Sequence, residues 1–262
     1  SIARPLAYLS LPYFALRYIS ARHAPTRYYC RLTAFTLAFF ACAFYGVVVS
    51  LAAYAAGRRY DLSWMVARSF KLVAGSLLDV KFEVEGEEYL SQGPALYVGN
   101  HQSTLDMLFL GRVFPRRTVI MAKKELRWVP ALGMFMQLSG AVWIDRGNHE
   151  KAMESLRQAS ETLRAKQISL WVFPEGTRTL WDEPNLRSFK KGAFHIAIQS
   201  GLPVIPVICE NSRHIYREGA INPGTLRVRV LPPIPTTSLT SADVSELMES
   251  TRERMLQTVR EI

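Results

Sequence analysis

From residue 79 to the end of the chain, short apolar runs alternate with stretches whose apolar positions recur every three or four residues. The segment VKFEVEGEE (80–88) alternates apolar and polar side chains, as a half-buried strand does. PALYVGN (94–100), TVIMAK (118–123), ISLWVF (168–173) and LPVIPVIC (202–209) are compact apolar runs bounded by turn residues, and they predict strands. Residues 140–144 and TLRVRVLPPI (225–234) add two more. Helical spacing predicts helices over 103–114, 130–138, 148–166 and 189–200, with a polar closing helix over 240–261. Strands alternating with helices predict an α/β fold with a mixed, centrally parallel sheet flanked by helices. In such sheets ligands gather beyond the carboxyl ends of the strands, so the residues that follow each apolar run carry the functional expectation.

The first 78 residues have a different pattern. Residues 32–56, LTAFTLAFFACAFYGVVVSLAAYAA, carry no charge. A helix of that length reaches about 38 Å, longer than the hydrocarbon core of a bilayer. A buried core helix seldom runs so far without a polar face, and a signal sequence has a shorter apolar run nearer the start. A membrane-spanning helix is therefore expected, with Arg27 and Arg31 before it and Arg58 and Arg59 after. This near balance of arginines leaves its orientation open. Residues 5–20, interrupted by Pro12 and Arg17, are expected to lie in the membrane interface or to form the short arm of a helical hairpin. Over 59–78, Leu62, Met65, Val66, Phe70, Val73 and Leu77 recur at helical spacing and predict an amphipathic helix resting on the bilayer. The chain thus divides into membrane-anchoring helices over 1–78 and an α/β domain over 79–262.

Charge narrows the partners. Lysine and arginine number 32 against 22 acidic residues, a net charge of +10, which suits an anionic partner. The long apolar helix favours a lipid surface or phosphorylated substrates over nucleic acid, for which no motif is present. Cys30, Cys42 and Cys209 lie far apart without a CxxC pair, which argues against a disulfide framework or a zinc site. HEKAM (149–153) lacks the second histidine of a zinc-protease motif, so no metal is expected.

Three clusters carry candidate chemistry. In GNHQSTLD (99–106), His101 and Asp106 lie five apart across a strand-to-helix turn, where a carboxylate can fix the imidazole tautomer and raise its basicity. Ser103 and Asp106 also match a helix-capping box, and the two roles are compatible. In FPEGTR (173–178), Pro174 and Gly176 shape a tight turn whose amides could receive an anion, and Arg178 offers a planar fork to phosphate. Glu175 would there orient Arg178 or accept a bond from a substrate hydroxyl. The third cluster is basic: Lys123 and Lys124, Arg146 in WIDRGN, and Lys190 and Lys191 in FKKGAF. A solvated basic rim explains Lys124 and Lys190 equally well. Cys209, inside an apolar strand, reads as core, and no GxSxG nucleophile elbow is present.

NHQSTLD, KKELRWVPALG with GAVWIDR, FPEGTR, FKKGAF and LPVIPV follow one another in this order. Together they resemble the glycerolipid acyltransferase family, and within it the fungal type of 1-acyl-glycerol-3-phosphate acyltransferase, from about residue 40 to about 235. The resemblance implies an acyl-CoA co-substrate with no further cofactor, a lysophosphatidic acid acceptor and phosphatidic acid as product. It implies His101 as general base and Asp106 as its orienting carboxylate. Glu175, Gly176, Thr177 and Arg178 would bind the glycerol phosphate, with Arg146, Lys123 and Lys191 as further substrate-binding groups. It also implies a lipid bilayer as partner and residence in the endoplasmic reticulum or on lipid droplets, the catalytic domain facing the cytosol. Rival expectations are the same transfer to another lysophospholipid or to glycerol 3-phosphate, a membrane-tethered lipid hydrolase, and a non-catalytic lipid binder.

Overall fold

The computed structural model describes residues 18–145, 147 and 149–262. Most of the segment expected at the interface (5–20) and Arg146 lie outside the described residues. Among those described, nine strands form a seven-stranded sheet and one hairpin. The strands are β1 (Val80–Glu85), β2 (Leu96–Gly99), β3 (Thr118–Lys123), β4 (Val142–Ile144), β5 (Ser169–Val172), β6 (Val204–Cys209), β7 (Tyr216–Arg217), β8 (Ala220–Ile221) and β9 (Gly224–Val230). The sheet order is β1-β9-β6-β2-β5-β3-β4, and every neighbouring pair is parallel except β6 with β9. The expected mixed, centrally parallel sheet is what forms. β2, β5 and β6 are buried along their whole length, which is why they read as unbroken apolar runs rather than alternating ones. β1, at the edge, shows alternating burial instead.

The helices are α1 (Ala24–Ala55), α2 (Leu62–Leu78), α3 (Asp106–Val113), α4 (Leu132–Leu138), α5 (His149–Lys166), α6 (Gly192–Ser200) and α7 (Val244–Glu261). Side chains of α1 to α4 share a core on one face of the sheet. Those of α5, α6 and α7 share a second core on the other. Boundaries shift from the sequence expectation for local reasons. The helix expected over 103–114 begins at Asp106, because Ser103–Leu105 form the turn that delivers it. The last strand stops at Val230, just before Pro232 and Pro233, whose missing N–H groups cannot extend a ladder. The hairpin of β7 and β8 has only two residues per strand and left no periodic signal.

α1 has 32 residues and starts eight positions before the uncharged run, so that Arg27 and Arg31 lie inside it. It is long and apolar enough to cross a membrane by length and composition. It is also tied to the α/β body at both ends. Near its start, Arg31 Nη1 donates to Ile221 O of β8 at 2.9 Å. In the middle, Phe35 meets Phe70 of α2 edge to face, and Gly46 lies against Phe135 of α4 and Val66 of α2. Near its end, Tyr54 Oη donates to Leu138 O at 2.8 Å.

α2 corrects one expectation. Leu62, Val66 and Phe70 are buried in this packing and are not available to a bilayer, whereas Leu72, Val73 and Leu77 stay exposed. Where α2 crosses α3, Gly111 faces the Ala67 carbonyl and the Lys71 side chain so closely that a Cβ would sit 2.5 Å from Ala67 O. Replacing Gly111 with Ala is expected to push α3 off α2 and to cost about 1–3 kcal/mol, the usual range for overpacking. A thermal unfolding midpoint equal to that of the wild type would show that the crossing relaxes freely.

Candidate active site

The carboxyl ends of β2, β5, β3 and β4 point the same way, since each neighbouring pair is parallel. The chain leaves β2 at Gly99 and reaches His101 two residues later. The imidazole stacks on Phe173 at the end of β5, with ring centroids 4.0 Å apart and planes 14° from parallel. Its Nδ1 lies 2.6 Å from Asp106 Oδ2. That oxygen also accepts from the Gln102 amide at 2.7 Å and the Ser103 amide at 3.1 Å. Ser103 Oγ accepts from the Leu105 amide at 3.1 Å. One buried carboxylate thus holds both the imidazole and the turn that leads into α3. The N-cap of α3, Leu105, makes no side-chain capping bond, so the expected capping box is not formed. With Nδ1 engaged, Nε2 is the nitrogen able to exchange a proton with a ligand.

The FPEGTR turn differs from its expected role at two residues. The buried Glu175 does not reach Arg178. Its Oε1 accepts from the His101 amide at 2.8 Å and its Oε2 from the Arg187 amide at 3.0 Å. Both oxygens thus hold protein backbone, which makes Glu175 a clamp between two loops. The Gly176 amide, expected in an anion cradle, donates to Phe173 O at 3.1 Å, and its φ of +72° closes that turn. Thr177 and Arg178 are exposed. Arg178 Nη1 donates to Thr104 Oγ1 at 3.2 Å, which sets its guanidinium beside the histidine loop. The Thr179 amide bonds to His101 O at 3.0 Å, joining the two loops again.

Comparison with known proteins places the chain in a family. Residues 81–210 match the family model described as Acyltransferase. The chain is 40% identical over 237 residues to a 1-acyl-sn-glycerol-3-phosphate acyltransferase of Saccharomyces cerevisiae, covering 90% of this chain and 78% of that one. It is 36% identical over 248 residues to the human 1-acyl-sn-glycerol-3-phosphate acyltransferase alpha, covering 91% and 86%. The crystal structure of a 1-acyl-sn-glycerophosphate acyltransferase from Thermotoga maritima superposes with a TM-score of 0.70 at 26% identity, covering 89% of this chain and 97% of that one. This chain belongs to the 1-acyl-sn-glycerol-3-phosphate acyltransferase family. Membership makes it an acyl-transferring enzyme.

Within this acyltransferase the basic groups divide. Lys123 ends β3, two strands from β2 and so about 10 Å to the side of the histidine strand. Lys124 Nζ is engaged by Asp145 Oδ2 at 2.6 Å, which ties the end of β3 to the loop after β4. Lys191 precedes α6 and is exposed; burial, and after it the Lys191 charge, holds His195 below the usual imidazole range. Sequence reasoning missed three contributors. Phe173 supplies the stacking face for His101. Asn100 exchanges two bonds with the Cys209 backbone, at 2.8 and 2.9 Å, which fixes the end of β2 against β6. Gln102 reaches Glu210 O at 2.7 Å and receives the Ser212 amide at 2.9 Å. An Asn and a Gln either side of the histidine were the only available signal. Cys209 is core as expected, its thiol pushed well above its ordinary range by burial.

Burial raises the Glu175 carboxyl above its ordinary value, against the opposing pull of the two amides. A raised folded pKa contributes stability that is present below the unfolded value and lost as pH rises through the folded one. Glu175→Gln offers one acceptor to two donors and is expected to destabilise the protein by about 1–3 kcal/mol. It should also remove this carboxyl's share of the stability decline as pH rises above about 4.5. Denaturant titrations of both proteins across that range test this, and parallel pH curves would disprove the assignment.

Proposed function

We propose that this chain transfers a fatty acyl group from acyl-CoA to the sn-2 hydroxyl of lysophosphatidic acid, giving phosphatidic acid for phospholipid synthesis. The observation that carries this reading is the 2.6 Å contact of His101 Nδ1 with Asp106 at the open end of the parallel sheet, with Arg178 docked alongside. Names of relatives supply the acceptor: the yeast and human proteins are 1-acyl-sn-glycerol-3-phosphate acyltransferases.

His101 Nε2 takes the hydroxyl proton as the oxygen attacks the thioester carbonyl. Asp106 stabilises the imidazolium that forms, as a carboxylate does in a hydrolase dyad. Collapse of the tetrahedral intermediate breaks the C–S bond, and the leaving sulfur recovers the proton from Nε2. No acyl-enzyme intermediate is needed, and acyl-CoA acts as co-substrate without a further cofactor. Arg178 holds the acceptor phosphate, with Lys123, Lys191 and Arg146 as further basic contributors. Thr177 and Gly176 act by shaping the turn that presents Arg178.

Both lipids live in the bilayer, and α1 keeps the enzyme there. Because α1 is bound to the α/β body near Arg31 and again at Tyr54, a helix threaded straight across the membrane would drag the charged body in with it. A helix embedded along one face of the membrane avoids that cost, with Leu37, Phe44, Val48 and Leu51 toward the lipid. In a eukaryotic cell this membrane is the endoplasmic reticulum, with the α/β domain over 79–262 on its cytosolic side.

His101→Ala is expected to abolish transfer from oleoyl-CoA to lysophosphatidic acid, and Asp106→Asn to lower kcat by about 10²–10⁴ with little change in KM. Arg178→Ala should mainly raise KM for the lysolipid. Assays of the detergent-purified protein with lysophosphatidic acid and lysophosphatidylcholine in parallel check these outcomes. Near-normal turnover by His101→Ala would overturn the mechanism, and transfer only to lysophosphatidylcholine would overturn the acceptor.

A further inference from the structure

Trp128 is 83% exposed, although most tryptophans keep the bulk of the ring covered. It closes a 3-10 turn, Lys124–Trp128, between β3 and α4. The turn is tightly held. Ala131 adopts φ 58° and ψ −50°, a conformation that residues with a Cβ rarely adopt. Gly133 packs directly onto the Arg127 carbonyl, with no room for a Cβ. Arg127 lies over the Trp143 ring, 5.3 Å from its centre. The backbone on both sides of Trp128 is thus closely packed, while its indole stays in solvent.

Its place in the fold says what covers it. Leu126, Leu132 and Trp143 pack into the core shared with α1 and α2, so the turn sits on the α1 side of the sheet. β3 runs parallel to β5 and β5 to β2, so the turn emerges at the same end as His101. Next along the chain, Met134 is 58% exposed, and its neighbour Phe135 touches Gly46 of α1. α4 thus seats against the buried face of α1 and leaves Met134 and Trp128 outside that packing. Lys123 at the entry to the turn and Arg127 next to Trp128 in the chain are both exposed. Across this stretch Lys123, Lys124 and Arg127 stand against Glu125, with Lys124 paired to Asp145, so the net charge is positive and suits an anionic lipid surface. An indole beside cations is the side-chain chemistry that settles at headgroup depth.

We propose that the turn Lys124–Trp128, with Met134, is a second membrane contact made by the α/β body itself, inserting Trp128 into the interface of an anionic bilayer at the active-site end. This rests on the attachment through α1 proposed above. It would set the mouth of the site against the membrane, so that an acceptor moves from lipid to His101 without crossing water.

The test uses the full chain, wild type and Trp128→Ala, with vesicles of phosphatidylcholine and phosphatidylserine whose acyl chains are brominated near the carbonyl. Flotation measures attachment, and bromine quenching of tryptophan emission measures insertion. Both proteins are expected to float, and the wild type to show a quenched component that the variant lacks. Trp128→Ala removes no core packing, so its fold should be intact, and a circular dichroism spectrum matching the wild type verifies this. Equal quenching in two proteins that both float would overturn the proposal while leaving the α1 attachment standing. Failure of the wild type to float would overturn both. A wild-type dimer that Trp128→Ala converts to monomer, with equal quenching, would overturn the proposal in favour of a second copy.

Discussion

Asp106 Oδ2 is the atom on which the site depends. It gathers the His101 imidazole and two consecutive amides, Gln102 and Ser103, within 3.1 Å. A charged acceptor shared among three donors in a buried setting binds each more strongly than a neutral one would. The same carboxylate starts α3, and α3 packs on α2, which packs on α1. The imidazole orientation and the seating of the N-terminal helices are thus linked through one short helix. Glu175 repeats the device from the neighbouring loop, holding the His101 amide from the other side.

The sheet and most of its helices were legible because their burial is uniform. β2, β3, β5 and β6 are apolar runs whose ends fall at Gly, Pro, Asn or Lys, and the observed limits differ from expectation by a few residues. The antiparallel placement of β9 beside β6 was not legible, since strand direction depends on the route of the connection through β7 and β8. The His101–Asp106 pairing was legible from spacing, because a strand-to-helix turn leaves few places for a carboxylate five residues on.

The role of Glu175 was hidden. Its partners are backbone amides, and one lies 74 residues away, so no side-chain pattern could announce them. Lys124 was ambiguous because its partner, the Asp145 carboxylate 21 residues on, is set by the parallel pairing of β3 with β4. On α2, spacing identified every apolar position but not which partner each would meet. Periodicity gives the direction of a face and says nothing about whether protein or lipid lies beyond it.

The ties that seat α1 share a property. Arg31 binds the carbonyl of Ile221, Tyr54 that of Leu138, and Arg59 those of Leu138 and Gln137. In each case the receiving atom belongs to the main chain. The receiving side of this joint is therefore written in backbone shape rather than in residue identity. For these bonds the side chains of Ile221, Gln137 and Leu138 are not the receiving groups, whereas a change at Arg31, Tyr54 or Arg59 removes the donor itself.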